Sequence, residues 1–207
     1  MNAPTGANGA NGANADDALR RAVRWAAALN LGYFAVEIAV ARRISSVSLF
    51  ADSIDFLEDT AINVLVLVAL GWQPRQRSRL GAPLAALLLL PGGATLWTAW
   101  QKWLAPLPPA PLPLSLTALG ALAVNVSCAV LLARVRHAGG SLSQAAFLSA
   151  RNDVWAGLAI LGAAALTLAW RSAWPDLAVG LAILGLSLDA AREIYRSARA
   201  EQHVPSR

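Results

Sequence analysis

The sequence predicts an all-α protein that crosses the membrane with six helices and keeps both termini in the cytoplasm. Of its 207 residues, 57% are hydrophobic and only 14% are charged, whereas charged residues make up about 25% of an ordinary soluble domain. Six apolar segments are each close to the roughly 20 residues that a helix needs to span a bilayer. The basic residues that flank these segments are concentrated on one side, which predicts the orientation.

The six apolar segments define the elements of the chain in order. They cover residues 22–41, 46–72, 80–100, 114–133, 142–170 and 174–191. Pro91-Gly92-Gly93 interrupts the third segment and predicts a kink or a locally unwound turn. The proline-rich stretch 106–113 predicts a stiff, extended connector and no helix, because proline lacks the backbone N–H that a helix interior needs.

The distribution of arginine and lysine sets the orientation of these segments. Twelve basic residues flank the segment ends that share a side with the termini, and four flank the opposite ends. Since cytoplasmic loops carry the excess of basic residues, both termini are predicted to be cytoplasmic. The Ala/Asn/Gly-rich start has neither a basic region nor an apolar core, so we interpret it as a tail and not as a signal peptide. The predicted divisions are a disordered cytoplasmic tail (1–19), a six-helix transmembrane domain (20–199) and a short cytoplasmic tail (200–207).

Composition also excludes some classes of protein. The single cysteine, Cys128, excludes disulfides and cysteine metal clusters, and we expect it to be a small, buried, apolar residue. The net charge is +5, but the basic residues stand in short clusters at segment ends, as topology signals do. We therefore exclude nucleic acid as a partner and expect a lipid bilayer around the chain, namely the inner (cell) membrane of a bacterium.

Acidic residues lie inside the second apolar segment: Asp52, Asp55, Glu58 and Asp59. Placing one charged side chain near the bilayer centre costs roughly 2.5–3.5 kcal/mol, so four cost about 10 kcal/mol. At 100° per residue three of these acids share one face of the helix, while Glu58 points about 100° away from Asp59. The predicted stripe, which faces the bundle interior, consists of Asp52, Asp55, Asp59 and Asn63. Because Asp55 and Asp59 are one turn apart, their side chains can converge on one ion.

A second polar group lies within the fifth apolar segment and consists of Ser149, Arg151, Asn152 and Asp153. Ser149 and Asp153 share a helix face at an i, i+4 spacing. By chain counting, Asp55 and Asp153 both lie near the middle of the membrane on helices that run in opposite directions. Two interpretations of Arg151 stay open: it gates the site, or it forms a buried ion pair with an acid and pins two helices together.

Other polar residues give weaker signals. Glu37 in the first segment and Asn125 in the fourth either face the same cavity or join helices by packing and hydrogen bonding. Asp176 is expected in the first turn of the last helix, where an acid is favourable. Neither histidine, His137 nor His203, has the spacing of metal ligands.

The second apolar segment carries a family resemblance. The stretch 46–59, with the sequence SVSLFADSIDFLED, resembles the second transmembrane helix of the cation diffusion facilitator family of metal transporters. In that family the helix carries a His/Asp-x-x-x-Asp ligand pair, which Asp55 and Asp59 match. Another Asp stands three residues before the pair, and Asp52 matches it.

The fifth helix of that family carries a second pair of the same form. The stretch 149–157, SARNDVWAG, resembles it, with Asp153 as the second ligand. Ser149 stands where the family usually has His or Asp, and Asn152 is a candidate to replace that ligand. The resemblance therefore implies a metal site formed by Asp55, Asp59, Asp153, Ser149, Asn152 and Asp52.

The resemblance implies a divalent transition-metal efflux transporter and not an enzyme. Such a transporter exchanges metal for protons through alternating inward and outward access. Metal is then the substrate, and no permanent cofactor is expected. The site offers only oxygen ligands, which suit harder cations such as Mn²⁺, whereas zinc favours His and Cys. Zinc, cobalt, manganese and iron stay open as substrates. Few residues follow the last segment, so we expect the family's cytoplasmic C-terminal domain to be absent, and a homodimer stays open.

Two other classes of function stay open. One is an intramembrane metal-dependent enzyme of the phosphatidyl-alcohol transferase type, but Asp52 is followed by Ser53 where those enzymes have the Gly of their Asp-Gly-x-x-Ala-Arg signature. The other is a non-transporting accessory subunit whose acids pair with basic residues of a partner. The accessory-subunit hypothesis predicts that the isolated protein binds no metal.

Overall fold

The computed structural model describes residues 6–69, 93–137 and 140–202, and these residues form six helical segments and no strand. The segments are α1 (Gly6–Ile44), α2 (Val47–Ala69), α3 (helical over 93–104), α4 (Pro111–Ala133), α5 (Gly140–Trp170) and α6 (Trp174–Gln202). The prediction of an all-α, polytopic bundle is confirmed. Residues 80–92 and 203–207 lie outside the described residues. The predicted kink falls on the first of these stretches, and part of the predicted C-terminal tail falls on the second.

Two boundaries differ from the sequence prediction. Helix α1 begins at Gly6, inside the stretch 1–19 that composition predicted to be disordered. Alanine favours a helix there, whereas the glycines and asparagines of the stretch do not. Helix α4 begins at Pro111, inside the stretch 106–113 that was predicted to be an extended connector. Proline is tolerated in a first helical turn, where its missing N–H has no helical partner to lose.

Three described stretches are long and apolar enough to cross a membrane by length and composition: Asp16–Ile44, Pro111–Ala133 and Ala146–Trp170. Helix α2 is also apolar over most of its length, but its four acids break up the run. Large side chains on the outside of the bundle are exposed, and among them are Trp97, Trp155, Leu168 and Leu186. An outer surface of this kind fits a lipid environment.

Buried apolar residues form two main clusters at different levels of the bundle. The first cluster includes Leu49, Leu114, Ile160 and Leu184. The second cluster includes Val23, Val66, Leu132 and Ala150. On each of the helices α1, α2, α4 and α5, a polar residue lies in sequence between the two clusters. Asn30, Asp59 and Asn125 are buried, and Asp153 is partly buried. The fold therefore brings the polar residues of four helices into one layer.

The end of the bundle that carries the α1–α2 and α5–α6 turns, here called the distal end, is closed by one carboxylate. Asp176, in the first turn of α6, is fully buried. It accepts hydrogen bonds from the backbone N–H groups of Val47 (2.9 Å) and Ser48 (3.3 Å) at the start of α2. The hydroxyls of Ser46 and Ser48 donate to it as well, each at 2.6 Å. One acid of α6 thus caps the N-terminus of α2, where the helix dipole favours a negative charge.

The positive partner of Asp176 comes from α3. The ammonium group of Lys102 lies 2.7 Å from Asp176 Oδ2, and both side chains are almost completely buried. The same ammonium donates to the carbonyl of Ser45 at 2.7 Å. Helix α6 also lies close to this point, since a Cβ on Gly180 would stand 2.6 Å from the backbone N of Ser48. Helices α2, α3 and α6 are therefore fastened together at the distal end.

Replacing Asp176 by alanine tests how far this network stabilises the bundle. Breaking a buried ion pair by removing one partner costs about 3–5 kcal/mol, and here Lys102 and two N–H groups of α2 lose their acceptor. We expect Asp176→Ala to lower the free energy of unfolding in detergent by this amount. Asp189→Ala, at an exposed position of the same helix, is the control. Equal unfolding midpoints for the two variants would contradict a stabilising role of the network.

Candidate functional site

The polar layer is built around Asp59 of α2, whose side chain is 3% exposed. The Ser149 hydroxyl of α5 donates to Asp59 Oδ1 at 2.8 Å. The Asn30 amide of α1 donates to Asp59 Oδ2 at 3.2 Å. Three helices thus meet at one carboxylate, and each of its oxygens keeps a lone pair that neither donor uses.

Asp153 is the second carboxylate of this layer. It lies one turn after Ser149 on α5, and its carboxyl group is within hydrogen-bonding reach of that of Asp59. Its Oδ2 atom is buried and has no hydrogen-bond partner. The polar residues of the second and fifth predicted helices therefore lie side by side, as a pair of carboxylates from α2 and α5 with Ser149 next to it.

Asp55 is hydrogen-bonded to a different helix from Asp59. Its Oδ1 accepts a hydrogen bond from the hydroxyl of Ser187 on α6. Together with Glu58 and Asp153 it lines a cavity of about 540 Å³ between α2, α5 and α6. The remaining walls of the cavity are mostly apolar and include Ala156, Ala159, Val179, Ile183 and Leu186.

The polar stripe predicted for α2 is thus divided between two faces. Asp52 and Asp59 face α1 and the polar layer, while Asp55 shares the cavity face with Glu58, which was predicted to point away. Residues 55 and 58 are one turn apart at an i, i+3 spacing, so they share a face. In this conformation Asp55 accepts from Ser187, whereas Asp59 accepts from Ser149 and Asn30. Among the described residues, no three acidic, histidine or cysteine side chains are grouped closely enough to hold a metal ion.

The remaining candidates of α5 are more exposed. Asn152 lines the cavity next to Asp153 and points away from Asp59. Arg151 is exposed, and within the described part of the chain it forms no ion pair with an acid. The interpretation of Arg151 as a buried helix staple is therefore wrong.

Asp52, the last of the predicted ligands, lies apart from the Asp59–Asp153 pair. It is completely buried and faces the Glu37 carboxyl group of α1, and neither carboxyl group has a hydrogen-bond donor. Glu37, which was expected either to face the same cavity or to join helices by packing, is not among the residues that line the cavity.

Sequence reasoning missed two donors of the site. Asn30 stands seven residues before Glu37, which places both on one face of α1, so this amide was detectable from the pattern. Ser187 gave no signal, because a single serine in an apolar helix is common and its role depends on which helix packs opposite.

The family model of the cation efflux transmembrane domain matches residues 23–201. The chain belongs to the cation efflux family. The match includes every candidate ligand and the whole polar layer. No curated protein matches the chain by sequence. Membership of the cation efflux family, together with the apolar helices, makes this a multi-pass membrane protein and a cation efflux transporter, since the family consists of transporters rather than enzymes.

Proposed function

We propose that this cation efflux protein exports a divalent transition-metal ion in exchange for protons. The observation that carries the proposal is the buried pair formed by Asp59 of α2 and Asp153 of α5, with Ser149 Oγ 2.8 Å from Asp59. Two carboxylates in a water-poor layer need a positive partner, because an unpaired buried charge is strongly unfavourable. A divalent cation neutralises both carboxylates at once. A transported ion also leaves the site again, which a fixed lysine or arginine could not do.

The ligands available to the ion are oxygens. Asp59, Asp153 and Ser149 supply them, and Asp55 lies one turn away on α2. Turning the Asp55 side chain from Ser187 towards the layer brings a third carboxylate to the ion. Asn152, on the cavity side, is placed to contact an ion that enters there. Asp52 belongs to a separate pair and is not assigned to this position.

Carboxylate oxygens bind manganese and iron well, and they also accept zinc and cobalt. Within the described site no histidine contacts Asp59, and the Cys128 thiol donates to Asn30 and not to a carboxylate, which weakens any preference for zinc. We therefore regard the four metals as candidate substrates, with the harder ions favoured by the ligand set.

Proton exchange follows from the same carboxylates. A metal ion binds only to their deprotonated form, so metal and protons compete for the same oxygens. When the ion leaves, protons take its place and keep the buried acids neutral. A metal flux that is driven by a proton gradient is the expected result.

Alternating access requires that the two ends of the bundle open in turn. Assuming that both termini are cytoplasmic, the distal end faces outward, and the Asp176–Lys102 network closes it. The cavity beside Asp55 and Asp153 extends from the polar layer towards the distal end, since its α5 lining reaches Ala159 and its α6 lining begins at Val179. Export then requires α2, α3 and α6 to separate at the distal end. We place this protein in the inner membrane of a bacterium, and its assembly as a homodimer stays a prediction.

Metal flux into proteoliposomes under an imposed pH gradient tests the function. We expect the wild type to move at least one of Zn²⁺, Co²⁺, Mn²⁺ and Fe²⁺, and Asp59→Asn to reduce the flux to that of empty liposomes, because the variant has lost a ligand charge. Asp189→Asn, at an exposed position on α6, is the control and should retain transport. Normal flux in Asp59→Asn would overturn the site. No flux from folded wild-type protein would favour the accessory-subunit hypothesis.

The identity of the ligand at position 149 should set metal preference. We expect Ser149→His to raise the ratio of zinc to manganese transport at least about tenfold, which corresponds to about 1.4 kcal/mol, because imidazole is a better ligand for zinc than a hydroxyl. Ser127→His, on an exposed face of α4, controls for histidine at another position. An unchanged ratio in Ser149→His would mean that residue 149 does not contact the ion.

A further inference from the structure

A second pair of buried acids lies outside the Asp59–Asp153 pair. Glu37 of α1 and Asp52 of α2 are both completely buried, and their carboxyl groups face each other. All four of their oxygens are enclosed and have no hydrogen-bond donor. Asp176, which is equally buried, has five donor contacts at the distal end. The contrast shows that this fold can satisfy a buried acid and that the Glu37–Asp52 pair is left open.

The groups nearest to this pair do not supply a counter-charge. The Tyr33 side chain lies beside Glu37, but its hydroxyl donates to the carbonyl of Thr117 at 2.6 Å. Lys102, the buried cation of the distal end, is bound to Asp176 and to the carbonyl of Ser45. Within the described residues the pair therefore has no positive partner from the chain itself.

The position of the pair along α2 is informative. Asp52 is seven residues before Asp59, which is about 10 Å along the helix at about 1.5 Å per residue. Ser48, in the closed distal network, is a further four residues away, or about 6 Å. Asp52 and Asp59 point to the same side of α2, since seven residues make almost two full turns. The Glu37–Asp52 pair thus lies between the polar layer and the distal closure.

We propose that Glu37 and Asp52 form a second cation-binding position, which holds the metal ion between the Asp59–Asp153 pair and the distal exit. This inference rests on the proposed function. The two carboxylates offer up to four oxygens to a divalent ion, and carboxylates are ligands for such ions. An ion that leaves Asp59 then meets a second pair of carboxylates on the same side of α2, before the distal closure.

The test is equilibrium binding of Mn²⁺ alone to purified protein in detergent, with the metal counted per chain. We expect Asp59→Asn to retain one bound ion, because the second position does not use Asp59. We expect the double variant Asp59→Asn/Glu37→Gln to bind none. Asp59→Asn/Asp189→Asn, with the second change at an exposed residue, is the control and should bind as Asp59→Asn does.

Each outcome separates this inference from the proposed function. Binding by wild type together with none by Asp59→Asn would overturn the second position and leave transport standing. Equal binding by Asp59→Asn and Asp59→Asn/Glu37→Gln would overturn it as well, because another group then holds the ion. No binding by any form, wild type included, would overturn both proposals. If Glu37→Gln alone still binds an ion and the double variant binds none, the Glu37→Gln protein is folded. That result supports Glu37 and Asp52 as the second cation-binding position.

Discussion

The burial of carboxylates in an apolar helical bundle is the constraint on which this structure depends. Its buried acids meet the constraint to different degrees. Asp176 has a lysine, two hydroxyls and two backbone N–H groups as partners, and it fastens three helices. Asp59 has two neutral donors, whereas Glu37 and Asp52 have none. The fixed partners lie at the distal end, and the open positions lie towards the middle of the bundle, where an exchangeable cation is needed.

The apolar clusters explain why these acids remain in place. One cluster lies on each side of the polar layer along the chain, so that α1, α2, α4 and α5 hold their polar residues at one level. Contacts between α5 and α6 are interrupted by the cavity beside Asp55 and Asp153. The bundle thus combines a fastened distal end with an accessible side, an arrangement that suits a transporter with one closed gate.

Several parts of this arrangement were predictable from sequence, and the reasons are physical. The acids of α2 stand out because charge is costly in a membrane segment, and Asp59, one of them, lies in the polar layer of the structure. The pairing of Ser149 and Asp153 on one face followed from helix geometry in the same way. The division of the α2 stripe between two faces was not predictable, because it depends on which helix packs against each side. The closure by Asp176 joins residues more than 120 positions apart, and no local pattern reveals such a contact.

The central claim is that a divalent ion binds between α2 and α5 at Asp59 and Asp153. Anomalous X-ray diffraction from crystals that contain zinc or manganese locates the ion directly. The account predicts a metal peak between the two helices, with oxygens of both carboxylates about 2.0–2.2 Å from a zinc ion. A fully occupied metal peak elsewhere, such as beside His137 in the loop after α4, with no metal between Asp59 and Asp153, would contradict it.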